Sequence, residues 1–198
     1  MARAGVCRLL ARVFSNKPSA ELVEGLREAR MLEVLASLGV DFDQGFISGD
    51  AAGEAESLGI EYTRLFVGPG EHIAPHESVF VRGQAESEPR LWGEATAAVA
   101  EFYREAGLEV DTAGEIPDHI GIELEAMAEL AAAEAERHER GETAEAETLW
   151  GLQQRFAWEH LARWLPDFGR AVAEQAQSSF YRGMALLVGG LAELYEDE

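Results

Sequence analysis

Few residues in this chain could do acid–base, nucleophilic or metal chemistry, and they are unevenly spaced. There are five histidines, His72, His76, His119, His138 and His160, and one cysteine, Cys7. His72 and His76 stand four apart, but Pro75 and the nearby glycines forbid the regular helix that would stack them on one face. His119 and Glu123 are also four apart and are expected to share a helical face, where they can pair. His138 and His160 read as solvated or partly buried helix residues. The Glu-x-x-His pairs of di-iron bundles do not occur. Gly-x-Ser-x-Gly, phosphate-loop and Gly-x-Gly-x-x-Gly patterns are absent, so hydrolase, nucleotidase and dinucleotide templates find nothing. Cys7 has no partner for an internal disulfide and falls on the apolar side of the first helix, where packing suits it better than reactivity.

Two local clusters remain. The first runs Glu61-Tyr62-Thr63-Arg64-Leu65-Phe66-Val67-Gly68-Pro69-Gly70 and resumes at Ala74-Pro75-His76-Glu77-Ser78. A helix that ends on an aromatic residue, breaks on Gly-Pro and is followed by a Glu-Ser turn can form the rim of a peptide-receiving groove; it can equally be a helix end with a covering loop. The second cluster is Glu115-Ile116-Pro117-Asp118-His119-Ile120-Gly121-Ile122-Glu123-Leu124-Glu125. Pro117 at the first helical position and Asp118 in the first turn suit a helix start, because an acid there complements the dipole. Gly121 inside that turn costs about 1 kcal/mol relative to alanine, which points to a close approach by another backbone or a ligand.

The elements that must position these clusters are helical almost throughout. Val6, Leu9, Leu10, Val13 and Phe14 form the stripe of a core-facing helix; the acid-free, arginine-bearing start is therefore read as structural, although it looks superficially like an organellar presequence. A second helix is expected from Pro18 to Gly39 and a third from Asp50, an N-cap candidate, to Phe66. The stretch 67–88 is irregular, and its best strand signal is Ser78 to Val81. Helical pattern resumes at Pro89 through Leu91, Trp92 and Tyr103. A long helix is expected from Pro117 to about Arg140 and another over 142–165. A short helix follows from Pro166, and a last one is capped by Ser178. The expected architecture is all-α: one domain over 1–198, a helical bundle whose lobes at about 1–66 and 89–198 are joined by loop 67–88 acting as a hinge.

The chain has 198 residues, with 16 Lys+Arg against 37 Asp+Glu, a formal net charge of −21. Hydrophobic residues make up 47%, enough for a core, so wholesale disorder is excluded. The charge argues against nucleic acid and against an anionic membrane surface, and favours a basic partner. No run reaches the roughly 20 apolar residues needed to span a bilayer. With no secretory signal in view and a single cysteine, the expected compartment is the cytoplasm.

The two clusters together are similar to the TorD/DmsD family of redox-enzyme maturation chaperones, which includes the nitrate reductase delta-subunit chaperones. The similarity rests on Tyr62, Leu65-Phe66 and Gly68-Pro69, on Pro75-x-Glu77-Ser78, and on Pro117-Asp118-His119-Ile120-Gly121-Ile122-Glu123. It continues in Phe156-Ala157-Trp158-Glu159-His160-Leu161, in Trp164-Leu165-Pro166 and in Phe180-Tyr181. The chain departs from the pattern at Ile116, where the family commonly has an acid (here displaced to Glu115), and at His76, where it commonly has an aromatic.

The resemblance implies a non-enzymatic cytoplasmic chaperone that binds an apo molybdopterin oxidoreductase, its twin-arginine signal peptide, or both, until the cofactor is inserted. It implies no cofactor of its own and no catalytic residue. Client contacts are expected at Tyr62, Leu65, Phe66, Gly68, Pro69, Pro75, Glu77, Ser78, Ile116, Pro117, Asp118, His119 and Glu123. Leu65, Phe66, Ile116 and Met127 would line an apolar groove near Asp118, Glu123 and Glu125. The assembly is expected to be a monomer or a domain-swapped dimer. The competing reading is a helical metal- or nucleotide-binding protein using His72, His76, His119 and nearby acids.

Overall fold

A computed structural model describes residues 3–81, 90–110 and 114–195. The elements are α1 (Arg3–Ser15), α2 (Ala20–Leu26), α3 (Ala29–Ser37), α4 (Gln44–Ser48), α5 (Ala51–Tyr62), α6 (Glu77–Phe80), α7 (Glu94–Glu105), α8 (Ile120–Glu139), α9 (Thr143–Glu159), α10 (Leu165–Gln175) and α11 (Ser179–Gly189). A π-helical turn, Thr63–Val67, extends α5, and single 3-10 turns follow α9 and α11. Among the described residues the only β-pairing is one isolated bridge, His76 to His119. The fold is all-α, and no described helix is long and apolar enough to cross a membrane.

The core follows from the apolar stripes. Val6, Leu10, Val13 and Phe14 of α1 are buried against α8, where Leu124, Met127 and Ala128 face them. α8 packs in turn on α9, and α10 pairs with α11. One apolar cluster runs from Val6 to Tyr195, so the segments before and after residues 67–88 share it. At its centre Phe14 meets Phe66 and Phe168 edge-on, with ring centroids 5.8 and 5.2 Å apart.

Capping residues stop and start the helices largely as expected. Asp50 accepts from Gly53 N at 2.7 Å and Ser178 from Tyr181 N at 3.2 Å. Gly39 follows α3 with φ +83°, a conformation only glycine adopts cheaply. Five expectations need correction. The helix expected over 18–39 breaks at Glu28, whose ψ of 133° leaves the helical region. At that break Arg27 turns its guanidinium onto the carbonyls of Phe46 and Gly49. The helix expected over 142–165 ends at Glu159, because His160 (φ −123°, ψ −76°) swings its ring inward. Residues 78–80 belong to the helical turn α6, and Val81 caps it with extended backbone, so no strand forms there. Leu91 and Trp92 lie in a turn before α7 begins at Glu94, and the expected restart at Pro89 lies outside the described residues. The long helix starts at Ile120, not Pro117, because His119 is its N-cap.

Candidate functional site: a cleft over a buried acid cluster

The two sequence clusters meet. Ile120 N donates to Pro75 O at 2.9 Å and Glu77 N donates to Asp118 O at 3.0 Å, which zips residues 75–77 antiparallel to 118–120. The carboxylate of Asp118 then completes the joint. Its Oδ2 accepts from Ser78 N at 2.7 Å, and its Oδ1 accepts from Thr96 Oγ1 at 3.1 Å. Asp118 is therefore fully buried and ties α6 and α7 to the start of α8. The expectation that Asp118 serves the start of its own helix is corrected: its amide donor is Ser78 N, on α6.

Beneath this joint lies a group of desolvated polar side chains. Glu77 and Glu123 have no exposed surface. His160 Nδ1 is 2.9 Å from Glu77 Oε2, and Arg163 Nη1 is 3.8 Å from Glu77 Oε1. Trp164 Nε1 donates to Glu123 Oε2 at 3.1 Å. Burial, then the neighbouring charges of Glu77 and Asp118, push the Glu123 carboxyl well above the usual carboxylate range. The neighbouring Glu77 carboxylate adds to this by its charge and by its hydrogen-bonding reach to Glu123. Nearby, Tyr103 donates its hydroxyl to Pro117 O at 3.2 Å. Two expectations fall here. His119 does not pair with Glu123, because its Nδ1 accepts from Gly121 N at 3.0 Å while Glu123 turns inward. His160, expected as a solvated or partly buried helix residue, lies just past the end of α9 as a buried partner of Glu77.

Above the joint is a cleft of about 500 Å³ between the end of α1, the π-helical turn and the start of α8. Tyr62, Phe66, Pro75 and His119 line it, together with His76, Glu115, Gly121, Ile122 and Glu125. The His76 and His119 rings meet edge-on with centroids 5.1 Å apart. His76 Nε2 lies 3.4 Å from Glu115 Oε1. Burial and the neighbouring His76 hold His119 down to about 4, so it is neutral at pH 7, and acceptance at Nδ1 leaves its proton on Nε2. For Glu115 burial acts upward, but the Ile116 amide and His76 outweigh it and keep the carboxyl below its ordinary value. Gly121 has the close neighbour its position suggested: a Cβ there would sit 1.8 Å from Ser15 Oγ.

The other expected contacts distribute elsewhere. Leu65 and Met127 are core residues with no exposed surface, so neither lines a groove. Ile116 and Pro117 are half-buried. Gly68 and Pro69 line a second, largely apolar groove of about 800 Å³ on the far side of the π-helical turn. His72 is exposed and pairs with the Gly70 carbonyl, away from His76 and His119. Among the described residues no three His, Cys, Asp or Glu side chains converge as metal ligands. Cys7 is buried beside Tyr195, and burial pushes its thiol up to about 11. Thr96, His160 and Trp164 were not foreseen as partners of the buried acids. Their only sequence signal is a polar or amphipathic residue on an inward stripe.

A solvated, acid-lined cleft on a rigid buried base is the arrangement of a helical binding protein. A family model described as nitrate reductase delta subunit matches residues 18–170, and the chain belongs to that family. It is 25% identical to the chaperone protein TorD of Shewanella loihica, over 94% of this chain and 87% of that protein. A crystal structure of a redox enzyme maturation protein from Archaeoglobus fulgidus shares the fold, with TM-score 0.54 and 18% identity over 100% of this chain and 95% of that one. This places the protein among redox-enzyme maturation chaperones, which are not catalysts.

Proposed function

We propose that the protein is a cytoplasmic chaperone for a molybdopterin-containing oxidoreductase, holding the apo-enzyme, its twin-arginine leader, or both until the cofactor is in place. The observation that carries this reading is the cleft itself. It is open to solvent, edged by Glu115 and Glu125, and built where the two resemblance-bearing clusters are hydrogen-bonded together. Guanidinium groups pair well with carboxylates, and a net charge of −21 raises the encounter rate with a basic leader. In this reading Tyr62, Phe66, Pro75 and His119 touch the client. Leu65, Glu77, Ser78, Asp118 and Glu123 act by holding the cleft's shape.

The test is to mix the purified chaperone with a molybdoenzyme catalytic subunit from its native host in apo and cofactor-loaded forms. Complex formation by light scattering should favour the apo form. Equal affinity for both forms, or binding to neither, refutes the proposal.

A further inference from the structure

The cleft and the apolar groove are neighbours along two walls. Ser15 and Asn16, at the end of α1, line the cleft, and the next two residues, Lys17 and Pro18, line the groove. Across from them, Phe66 and Val67 face the cleft, while Thr63, Arg64 and Gly68 face the groove. The π-helical turn is what divides residues so close in sequence between two depressions. Gly68 N donates five residues back to Thr63 O at 2.6 Å, which widens the helix and rotates Phe66 inward and Val67 outward. Val67 is 61% exposed on the ridge and Ile60 is 68% exposed in the groove, two large apolar side chains left side by side with solvent.

The two depressions differ in chemistry. The cleft presents carboxylates, Glu115 and Glu125, and a neutral His119. The groove presents Ile60, Pro18 and Pro69 with the Lys17 stem over Gly59, and its charges are mixed, Lys17 and Arg64 beside Glu56 and Glu71. A ligand filling both needs a cationic part for the first and an apolar part for the second, linked by a stretch short enough to cross Val67. We infer that the cleft and groove form one bipartite trough for a single peptide, whose basic residues seat between Glu115 and Glu125 and whose apolar residues cover Val67 and Ile60. This rests on the leader-binding reading and adds the second half of the site, which lies wholly outside the clusters' buried acids.

The probe is a synthetic peptide with two adjacent arginines followed by a leucine-rich stretch, alongside one version with both arginines changed to glutamine and another with the leucines changed to serine. Affinities are read by fluorescence anisotropy for wild type, Ile60→Ser and Glu125→Gln. Both substitutions are at exposed positions, and melting curves verify that the fold is kept. Ile60→Ser should weaken the full peptide about tenfold and leave the serine peptide unchanged. Glu125→Gln should weaken the full peptide severalfold, lower its salt dependence, and leave the glutamine peptide unchanged.

A wild-type protein that binds no version of the peptide refutes leader binding itself. One that binds the full peptide with affinity indifferent to Ile60→Ser refutes only the trough. If Ile60→Ser instead dissolves a dimer seen by sedimentation and spares peptide affinity, the groove belongs to a second copy of the chain and the inference fails.

Discussion

Two sets of acids, four of the five within residues 115–125, behave in opposite ways. Glu77, Asp118 and Glu123 are sealed beneath the joint, each tied to a named partner. Glu115 and Glu125 stand above it at the rim of the cleft. In low dielectric a carboxylate without a partner is expensive, so the buried set is committed to structure. In water the same group keeps its charge at little cost and can trade solvent for an incoming cation. Acid content alone therefore says nothing about where a basic ligand docks; what matters is which acids are already engaged.

The sharpest way to break this division is Asp118→Ala. It leaves the Ser78 amide and Thr96 hydroxyl unpaired in the interior and should cost about 2–5 kcal/mol by denaturant titration. Asp118→Asn should cost much less, because the Thr96 hydroxyl can rotate to accept from the new amide. If Asp118→Ala melts like wild type and loses only client binding, the buried set is functional and the comparison fails. Next in size is Gly121→Ala, which places a methyl against Ser15 and should cost about 1–3 kcal/mol. Ser15→Ala should recover part of that loss but not all of it, since Ser15 Cβ itself would lie 3.1 Å from the new atom.

A third prediction uses pH. The folded state holds a proton on Glu123 that the unfolded chain releases near 4.5, so this residue makes stability fall as pH rises from about 4.5 toward its raised folded value. His119 acts oppositely: held down to about 4 against 6.5 unfolded, it makes stability fall as pH drops from 6.5 to 4. Glu123→Gln should remove the first slope and keep the second, giving a protein relatively more stable at neutral pH. Melting temperatures from pH 4 to 9 test this, and parallel curves for variant and wild type would contradict it. The smallest effect on the fold is expected from Glu125→Gln: the melting temperature stays within error while affinity for a basic peptide, and its decline with added salt, both decrease.

Local rules carried the sequence a long way. The stripe Val6-Leu10-Val13-Phe14 and the caps at Asp50 and Ser178 were legible, because each depends on residues within a turn or two; Gly121 signalled a close approach, but not that its neighbour would be Ser15 of α1. The site was legible as two clusters but not as one structure. Asp118 satisfies every local criterion for a first-turn acid, yet its partners sit 40 and 22 positions away at Ser78 and Thr96. Leu65 continues the inward stripe from Leu58, which marks it as the more structural of the pair Leu65-Phe66; it is core, while Phe66 also lines the cleft. His160 was read as a helix residue because nothing nearby signals that the helix must break to bring its ring to Glu77.

The bond between Trp164 and Glu123 makes the chain its own optical instrument. Of the four tryptophans, Trp92 and Trp158 are 68% and 50% exposed, whereas Trp164 is sealed between Phe80 and Phe168 with its indole donating to the Glu123 carboxyl. Iodide will silence the outer two and spare Trp164. The emission that survives comes from Trp164 and from the half-buried Trp150, stacked on Tyr195, so the part lost in a Trp150→Phe variant leaves Trp164 alone to report on the joint, with no label attached.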